Sequence, residues 1–329
     1  MKVLITGGAG FIGYHLAKRL LADGCEVVIA DNFSRGVEDT FLKELAKKGR
    51  ITFKNTDLMD EKNALELGDD YDRIYHLAAI IGVQIVLDHS YDVLKKNVCL
   101  LLNMIELAKK QKHLSRFLFA STSEIYAGTL KYYGLDIPTP ETTPLTITPL
   151  EEKRTSYMLS KIYGEALLRQ SGIPFTIFRP HNFYGPRMGM SHVIPELLRK
   201  VYNDEGNGKL EVYSVEHKRT FCYIDDAVEM IVRLADSEKA CGEAYNIGNE
   251  SPEISIMEVA RTVLKTVGRE YEIIPLPPSP GSPERRCPSM EKTGECTGYT
   301  PAVTLEEGIK RTFEWYRANI FDGNEVCEK

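Results

Sequence analysis

A run of glycines directly behind the first strand-like segment limits what this chain can become. Val3-Leu4-Ile5-Thr6 is followed by Gly7-Gly8-Ala9-Gly10-Phe11-Ile12-Gly13, and then by a helical pattern, Tyr14–Ala22. The glycines fit G-x-G-x-x-G at 8, 10 and 13, and G-x-x-G-x-x-G at 7, 10 and 13. Such a turn takes the chain sharply from strand to helix, lets a diphosphate approach the backbone, and lets the helix pack on the sheet. The free N–H groups of the helix start then face the anion. An acid, Asp31, ends the second strand-like run 18 residues beyond Gly13. Strand, glycine turn, helix and acid in that order point to a dinucleotide site.

The rest of the first half supports this reading. Apolar, β-rich runs occur at Val3–Thr6, Glu26–Asp31, Ile51–Asp57, Arg73–Ala79, Arg116–Thr122 and Phe175–Pro180. Helical stretches lie between them; in Asp92–Gln111, residues Leu94, Val98, Leu101, Ile105 and Ala108 recur at three- and four-residue spacing. The alternation predicts an α/β fold, a doubly wound parallel sheet with helices on both faces. After about residue 180 the rhythm breaks, and a Pro-rich stretch spans Pro275–Pro288. Capping-box patterns at Ser255–Glu258 and Thr304–Glu307 start two helices. The run Glu243–Gly248 is expected to return to the sheet. The expected organisation is a Rossmann domain over 1–180, plus that returning strand, and a smaller interleaved α/β substrate domain over 181–329.

Composition closes off other classes. With 41 Lys+Arg against 47 Asp+Glu, the net charge is −6, a poor match for a nucleic-acid binder. No apolar run approaches the roughly 18–20 residues of a membrane helix, and no cleavable leader pattern precedes the first strand. Seven scattered cysteines without a C-x-x-C pair, and seven scattered histidines, predict neither a disulfide framework nor a metal site. Free thiols suit a reducing, cytoplasmic setting.

Asp31 stands where a carboxylate accepts the adenosine ribose hydroxyls and repels a 2′-phosphate, which favours NAD over NADP; Arg35, nearby, is the one residue that could take such a phosphate. Asp57, at the end of the third run, either holds the adenine amino group or caps the strand end. Farther on, Tyr157 and Lys161 form Y-x-x-x-K and share one helix face. A neighbouring ammonium favours a phenolate and a bound nicotinamide cation helps, so the pair predicts a tyrosine base with its pKa moved from about 10 toward about 7. The hydroxyls of Ser121-Thr122-Ser123, followed by Glu124, stand at the end of the fifth run, on the cofactor side of a parallel sheet.

These pieces together resemble the extended short-chain dehydrogenase/reductases of the NAD-dependent nucleotide-sugar epimerase/dehydratase family. The match runs through Gly7–Gly13, Asp31, Asp57-Leu58, His76-Leu77-Ala78-Ala79, Asn97, Ser121–Tyr126, Tyr157/Lys161, Arg179–Arg187, Arg219–Asp226, Arg285-Arg286 and the closing segment Leu305–Ile320, and covers nearly the whole chain. The resemblance implies NAD held by Gly7, Gly10, Phe11, Ile12, Gly13, Asp31, Asn32, Arg35, Asp57, Leu58, Leu77, Ala78, Ala79, Asn97, Tyr157, Lys161 and Pro180. It implies Thr122 on the reacting sugar oxygen, Tyr157 as base and Lys161 on the nicotinamide ribose. Ser123 and Glu124 complete the catalytic set. His181, Asn182, Arg187, Arg219 and Arg285 would meet the substrate, with Asn182, Arg219 and Arg285 on its diphosphate. His181 departs from the family's usual apolar or aromatic residue; it either reads a polar substituent or is bonded within the core. Ser289 replaces the usual Asp. The segment Tyr133–Glu152 is expected to form a rim over the substrate.

The resemblance leaves the fate of a 4-ketosugar open. Thr122-Ser123-Glu124 lacks the acid that a 4,6-dehydratase carries after its threonine, which disfavours dehydration. An epimerase needs no further group and is the leading expectation, on a UDP-sugar. A UDP-glucuronate decarboxylase is the alternative, since that branch commonly reads Thr-Ser-Glu and shares Asn182–Met188 almost unchanged, although the Tyr157 helix differs from its usual one. A cofactor-binding regulator that has lost catalysis is disfavoured because Tyr157 and Lys161 are both present. Apolar Val93, Leu100 and Leu107, and Leu159, Ile162 and Tyr163, lie outside the main stripes of their helices. Together with the resemblance they predict a homodimer through a four-helix bundle.

Overall fold

A computed structural model describes residues 1–47, 49–278 and 283–323. Seven parallel strands form the central sheet: β1 (Lys2–Thr6), β2 (Glu26–Asp31), β3 (Ile51–Asn55), β4 (Arg73–His76), β5 (Arg116–Ala120), β6 (Phe175–Pro180) and β7 (Ala244–Ile247). Their order is β7-β6-β5-β4-β1-β2-β3. The first six strands occur where the apolar runs place them; β3, β4 and β5 stop two or three residues short of the predicted ends, freeing those residues for the cleft. Val3, Leu4 and Ile5 are wholly buried, as expected for a parallel strand covered on both faces. β1 pairs with β2 on one side and β4 on the other, so the chain changes direction there and a crevice opens at the strands' C-terminal ends.

The two faces of the sheet are packed differently. On one, Leu100, Leu101, Met104 and Ile105 of helix Ser90–Lys109 pack with Phe117, Phe119 and Leu168 in a core of their own. On the other, a single core runs from Val3, Leu16 and Ile29 to Val259, Val263 and Ile309 near the C-terminus. The later half therefore shares a core with the first rather than sitting apart. More of it returns than the single strand expected: helix Ile224–Asp236 lies against helix Phe11–Ala22, where Arg19 Nε donates to Glu229 at 3.0 Å. Both expected helix starts occur. Ser255 and Glu258 cap one another reciprocally, and Thr304 accepts from Glu307 N.

Two placements matter for the cleft. The expected rim, Tyr133–Glu152, is tied down: Thr139 N donates to Cys287 O, Ser289 N to Thr139 O (both 2.8 Å), and Asn246 N to Glu141 at 2.7 Å. Thr139 and Thr148 nevertheless line the main cavity. Within the Pro-rich stretch, 279–282 lie outside the described residues, while Arg285–Arg286 pairs parallel with Lys218–Arg219, bringing these arginines side by side. Among the described residues no helix is long and apolar enough to cross a membrane.

Candidate active site

The glycine turn is built as its sequence requires. A Cβ on Gly7 (φ +68°) would stand 2.8 Å from the Ala78 backbone, and one on Gly13 2.5 Å from Gly8 Cα. Gly10 is the residue before helix Phe11–Ala22, so the amides of Phe11 and Ile12 fall in a first turn without intrahelical partners. Asp31 accepts from Ala9 N (3.0 Å) and Phe33 N (2.9 Å), and burial raises its carboxyl above the ordinary range. Asn32 accepts from Ser34 N at 3.0 Å. Arg35 reaches across the crevice to Ile81 O at 3.1 Å, beside the Leu77-Ala78-Ala79 segment. Thr6, which the motif reading passes over, holds that segment: its Oγ1 bonds His76 Nδ1 (2.8 Å) and accepts from Ala78 N (3.3 Å). These groups leave a backbone cradle above a helix start beside an acid, and they fit a dinucleotide.

Other expected cofactor residues turn out differently. Asn97 is buried and engaged at both ends of its amide: Oδ1 accepts from Ile80 N (2.7 Å), and Nδ2 donates to Ile80 O (3.1 Å) and Ser160 Oγ (3.3 Å). It ties the cleft loop to the catalytic helix. Leu58 is core, its carbonyl held by Asn103. Asp57 is exposed and accepts from Met59 N at 3.0 Å through Oδ1. Pro180 ends β6 beside Ile247.

The residues expected to react stand at the tip of β5 and on the helix Thr155–Gln170. Thr122 caps the short turn Ser123–Tyr126 by accepting from Glu124 N at 3.2 Å, and its hydroxyl engages the Tyr157 phenol. Lys161 is buried; its Nζ donates to Ala120 O at 2.7 Å and lies 5.9 Å from the Tyr157 ring centroid. The expected phenolate is absent from the free protein. Burial pushes the phenol up to about 12, against the lowering pull of Thr122, and burial also brings Lys161 down to about 7. Desolvation outweighs any help between the two. Behind them, Glu165 accepts from Ser121 Oγ (2.6 Å) and, through both oxygens, from Arg179 (3.0 and 2.8 Å). Arg179 donates to Tyr126 Oη (2.7 Å), which donates to Asn246 Oδ1 (3.0 Å). This buried chain braces the strand tips.

A cavity of about 630 Å³ opens beside these residues, lined by Ser123, Glu124, Arg154, Met158, His181 and Arg286, among others. Glu124 is gripped from two sides: Arg286 donates to Oε1 at 2.6 Å and Arg154 to Oε2 at 3.0 Å. Burial alone would raise its carboxyl, but the two guanidinia outweigh burial and hold it below the usual carboxylate range. His181 is bonded within the core, Nε2 to Asn246 Oδ1 at 3.1 Å, and burial lowers it to about 3. A second cavity of about 350 Å³ is lined by Asn182, Tyr213, Arg219 and Phe221. Asn182 there adopts φ +45° and donates to Thr220 O at 2.9 Å. Arg219 is buried and donates to the carbonyls of Lys218, Pro283 and Glu284.

Two expected substrate arginines have partners within the protein. Arg187 is 1% exposed, paired with Asp39 at 2.5 Å and donating to Ala9 O (3.1 Å) and Val37 O (3.1 Å). It props up the glycine turn from behind. Arg285 lines the rim of the main cavity, where it forks onto Glu253 at 3.0 and 2.6 Å, and its neighbour Arg286 reaches further in, to Glu124. Strand residues alternate in direction, so a pairing that turns Arg285 outward turns Arg286 inward. Arg154, three residues before Tyr157, was also missed; its only sequence signal is an arginine at the start of the catalytic helix.

Comparison with known proteins agrees with this geometry. The family model described as NAD dependent epimerase/dehydratase matches residues 3–248. A UDP-N-acetyl-alpha-D-glucosaminuronate decarboxylase of Bacillus cytotoxicus is 34% identical over 96% of this chain and 98% of its own. A UDP-glucuronic acid decarboxylase of Xenopus tropicalis is 32% identical over 97% of this chain and 73% of its own. The crystal structure of a UDP-glucuronic acid 4-epimerase from Bacillus cereus, in complex with UDP-glucuronic acid and NAD, superposes with a TM-score of 0.83 at 27% identity, over 97% of this chain and 99% of that one.

Proposed function

The chain belongs to the NAD-dependent epimerase/dehydratase family, and from that premise we propose that it decarboxylates a UDP-uronate. The observation that carries this reading is Glu124, held ionised between Arg154 and Arg286 beside Ser123. No carboxylic acid is left there to protonate a departing C6 hydroxyl. The other glutamate on the wall, Glu152, is exposed and paired with Lys131. Dehydration lacks its acid, whereas loss of CO₂ from a β-keto acid needs none.

NAD, when bound, supplies the two-electron acceptor for the sugar's C4 alcohol and a positive charge. The residues to hold it are those of the glycine turn, Asp31, Leu77–Ala79 and Lys161. Thr122 positions the C4 oxygen and Tyr157 takes its proton. Because the phenol stands near 12 in the free protein, its base form arises in the loaded complex. A uronate oxidised at C4 would then break its C5–C6 bond with loss of CO₂; the electron pair passes to the C4 oxygen, C5 takes a proton, and the C4 ketone takes back the two electrons first removed and the proton held on Tyr157, which gives a UDP-pentose with no net redox change. Arg219 and Arg286, side by side, are placed for the diphosphate, which suits their forked donors. The smaller cavity with Tyr213 and Phe221 takes the base.

The named decarboxylases among the relatives support this reading over epimerisation, the leading expectation from sequence. The size of the main cavity favours the epimerase as the second reading, since a ketosugar must turn over to be reduced on its other face. The test is product NMR with a CO₂ assay, using UDP-glucuronate, UDP-N-acetylglucosaminuronate and UDP-glucose with NAD. The expected outcome is CO₂ and a UDP-pentose from a uronate. A C4 epimer without CO₂ would replace decarboxylation with epimerisation.

We also propose a homodimer in a reducing, cytoplasmic compartment, on partly different grounds from those in the sequence. Val93, Leu100 and Leu107 are buried within the chain itself. The face that remains carries Tyr91, Leu102 and Tyr163, at 73%, 41% and 49% exposure, on two helices that pack together. Sedimentation at micromolar concentration checks it; a monomer there would reject it.

A further inference from the structure

The helix Thr155–Gln170 carries a third polar group, behind its reacting pair, that the chemistry above does not use. Tyr157, Lys161 and Glu165 follow one another at four-residue spacing and so run down one stripe of that helix. Glu165 is buried, and its carboxylate forks onto Arg179 of β6 at 3.0 and 2.8 Å. It also accepts from Ser121 Oγ at 2.6 Å. Ser121 directly follows Ala120, whose carbonyl takes the Lys161 ammonium at 2.7 Å. The end of β5 thus receives the cation and the carboxylate at adjacent residues.

A brace between a helix and a strand tip needs only hydrogen bonds, whereas a buried lysine needs a counter-charge. Most of the groups that face Lys161 are neutral. β5 offers the Ala120 carbonyl and the Phe119 ring, whose centroid lies 4.9 Å from Nζ. β4 offers His76, which burial and Lys161 itself keep uncharged. The helix Ser90–Lys109 offers Asn97, bonded to Ser160. The lysine's own helix offers the Tyr157 phenol and, one turn on, Glu165. Arg179 joins this set through Glu165. Among the described residues it is the charge of Glu165 that opposes the lowering imposed on Lys161 by burial.

We propose that Glu165 is a positioning residue for the reaction: its carboxylate is the counter-charge that keeps Lys161 cationic beside Tyr157, and it acts on the phenol only through Lys161. The inference rests on the roles given above to Tyr157 and Lys161. It holds for decarboxylation and epimerisation alike, since both begin with the proton at C4. Burial brings Lys161 to about 7, so near neutral pH one neighbouring carboxylate decides its charge. A lysine is charged below its pKa; taking away the Glu165 charge lowers that value, and the cation is lost first at high pH. Loosening of the site would do the opposite, because water admitted around a buried ammonium raises its pKa. The direction of the shift separates a counter-charge from a brace.

Lysine side-chain NMR on the full-length, NAD-saturated protein tests this without turnover, with the Lys161 signal identified by its loss in Lys161→Met. Glu165→Gln is expected to lower the Lys161 midpoint by at least about one pH unit. Glu165→Asp, which keeps the charge, should restore most of it. The double variant Glu165→Gln/Arg179→Gln leaves no unpaired buried charge and covers a single variant that does not fold. It should lower the midpoint as well, by less. An unchanged midpoint overturns the proposal, because the carboxylate then serves Arg179 alone; a raised one overturns it in favour of a brace. In turnover, a shift of one unit predicts a loss in kcat of about tenfold at pH 8 and about twofold at pH 6, with KM within about threefold. The same loss at every pH, or a loss in KM alone, would also overturn it. A lowered midpoint with unchanged turnover would refute the role given to Lys161 and leave Glu165 as its counter-charge.

Discussion

The cleft has two walls that are assembled in different ways. The cofactor wall is made of strand tips. Gly7–Gly13 follows β1, Asp31 ends β2, Leu77–Ala79 follows β4, and Thr122 lies two residues beyond β5. Each group is positioned by the strand immediately before it, and the sheet holds those tips in a row. The sugar wall is made of side chains brought together from 124, 154, 181 and 286, with 182 and 219 in the adjoining cavity. Glu124 and His181 follow β5 and β6, but the arginines that join them depend on longer-range placement, such as the pairing of Arg285–Arg286 with Lys218–Arg219. A wall built from local turns is written in short motifs. A wall built from distant pairings is written in no single segment, and a one-residue change of direction alters which side chain enters.

The largest expected effect tests the point where the walls meet. Tyr157→Phe should fold and bind NAD as the wild type does, and lose at least about 10²-fold in kcat, the low end for loss of a general base. Steady-state kinetics on the best uronate measures it. Turnover within a few-fold of wild type would remove the phenol from the mechanism and leave the cofactor wall without its reacting group.

Next comes the pair that the alternation of a strand separates. Arg286→Met should raise KM on the order of 30-fold, as expected for truncating one partner of a largely buried charge pair. Arg285→Met, which loses only a rim contact to Glu253, should change KM by less than about threefold. A reversed ranking would mean that the sequence-based assignment of Arg285 was right, and that the inward turn of Arg286 does not persist with substrate bound.

The same contrast explains what was legible in the sequence. The six strands of the first half were readable because buried parallel strands are continuous apolar runs bounded by turns. The places of Gly7, Gly13, Asp31, Thr122 and Tyr157 around one cleft are legible because each follows from its neighbours in sequence. Arg187 was misplaced because its motif is real but its side chain turns back under the glycine turn to Asp39, 148 residues away. Asn97 was assigned to the cofactor, yet both ends of its amide are used within the protein. The state of the phenol in the free protein is hidden from the sequence for a different reason. Spacing shows that Tyr157 and Lys161 share a face, but it does not show how much water is left around them, and desolvation decides both pKa values.

A smaller effect bears on the cofactor wall alone. Asp31 accepts two backbone amides and sits beside the glycine turn, so a 2′-phosphate would meet a fixed carboxylate. NAD is expected to bind at least about tenfold more tightly than NADP, roughly 1.4 kcal/mol. Calorimetry with both nucleotides checks it. Equal affinities would show that Arg35, which reaches Ile81 O in the free protein, turns to take the phosphate.

The smallest effect compares a matched pair of groups, one on each wall. His76 ends β4, bonded to Thr6, and His181 follows β6, bonded to Asn246. Burial lowers each to about 3, with a nearby lysine adding to it at His76 and arginines at His181. A histidine whose folded pKa lies below its unfolded value of about 6.5 binds fewer protons when folded, so stability falls as pH drops from about 6.5 toward 3. Between pH 7 and 6 each should cost about 0.7 kcal/mol, the part of the unfolded-state titration that falls in that interval. The measurement is the urea midpoint at the two pH values for wild type, His76→Phe and His181→Phe. Each substitution is expected to remove one share of the loss and leave the other, since the two rings sit on different strands and share no partner. If His181→Phe left the acid loss unchanged, the ring would be taking up its proton in the folded state. His181 would then belong to the wetted sugar wall rather than to the core network through Asn246, and the polar-substituent reading of this residue would be the one to pursue.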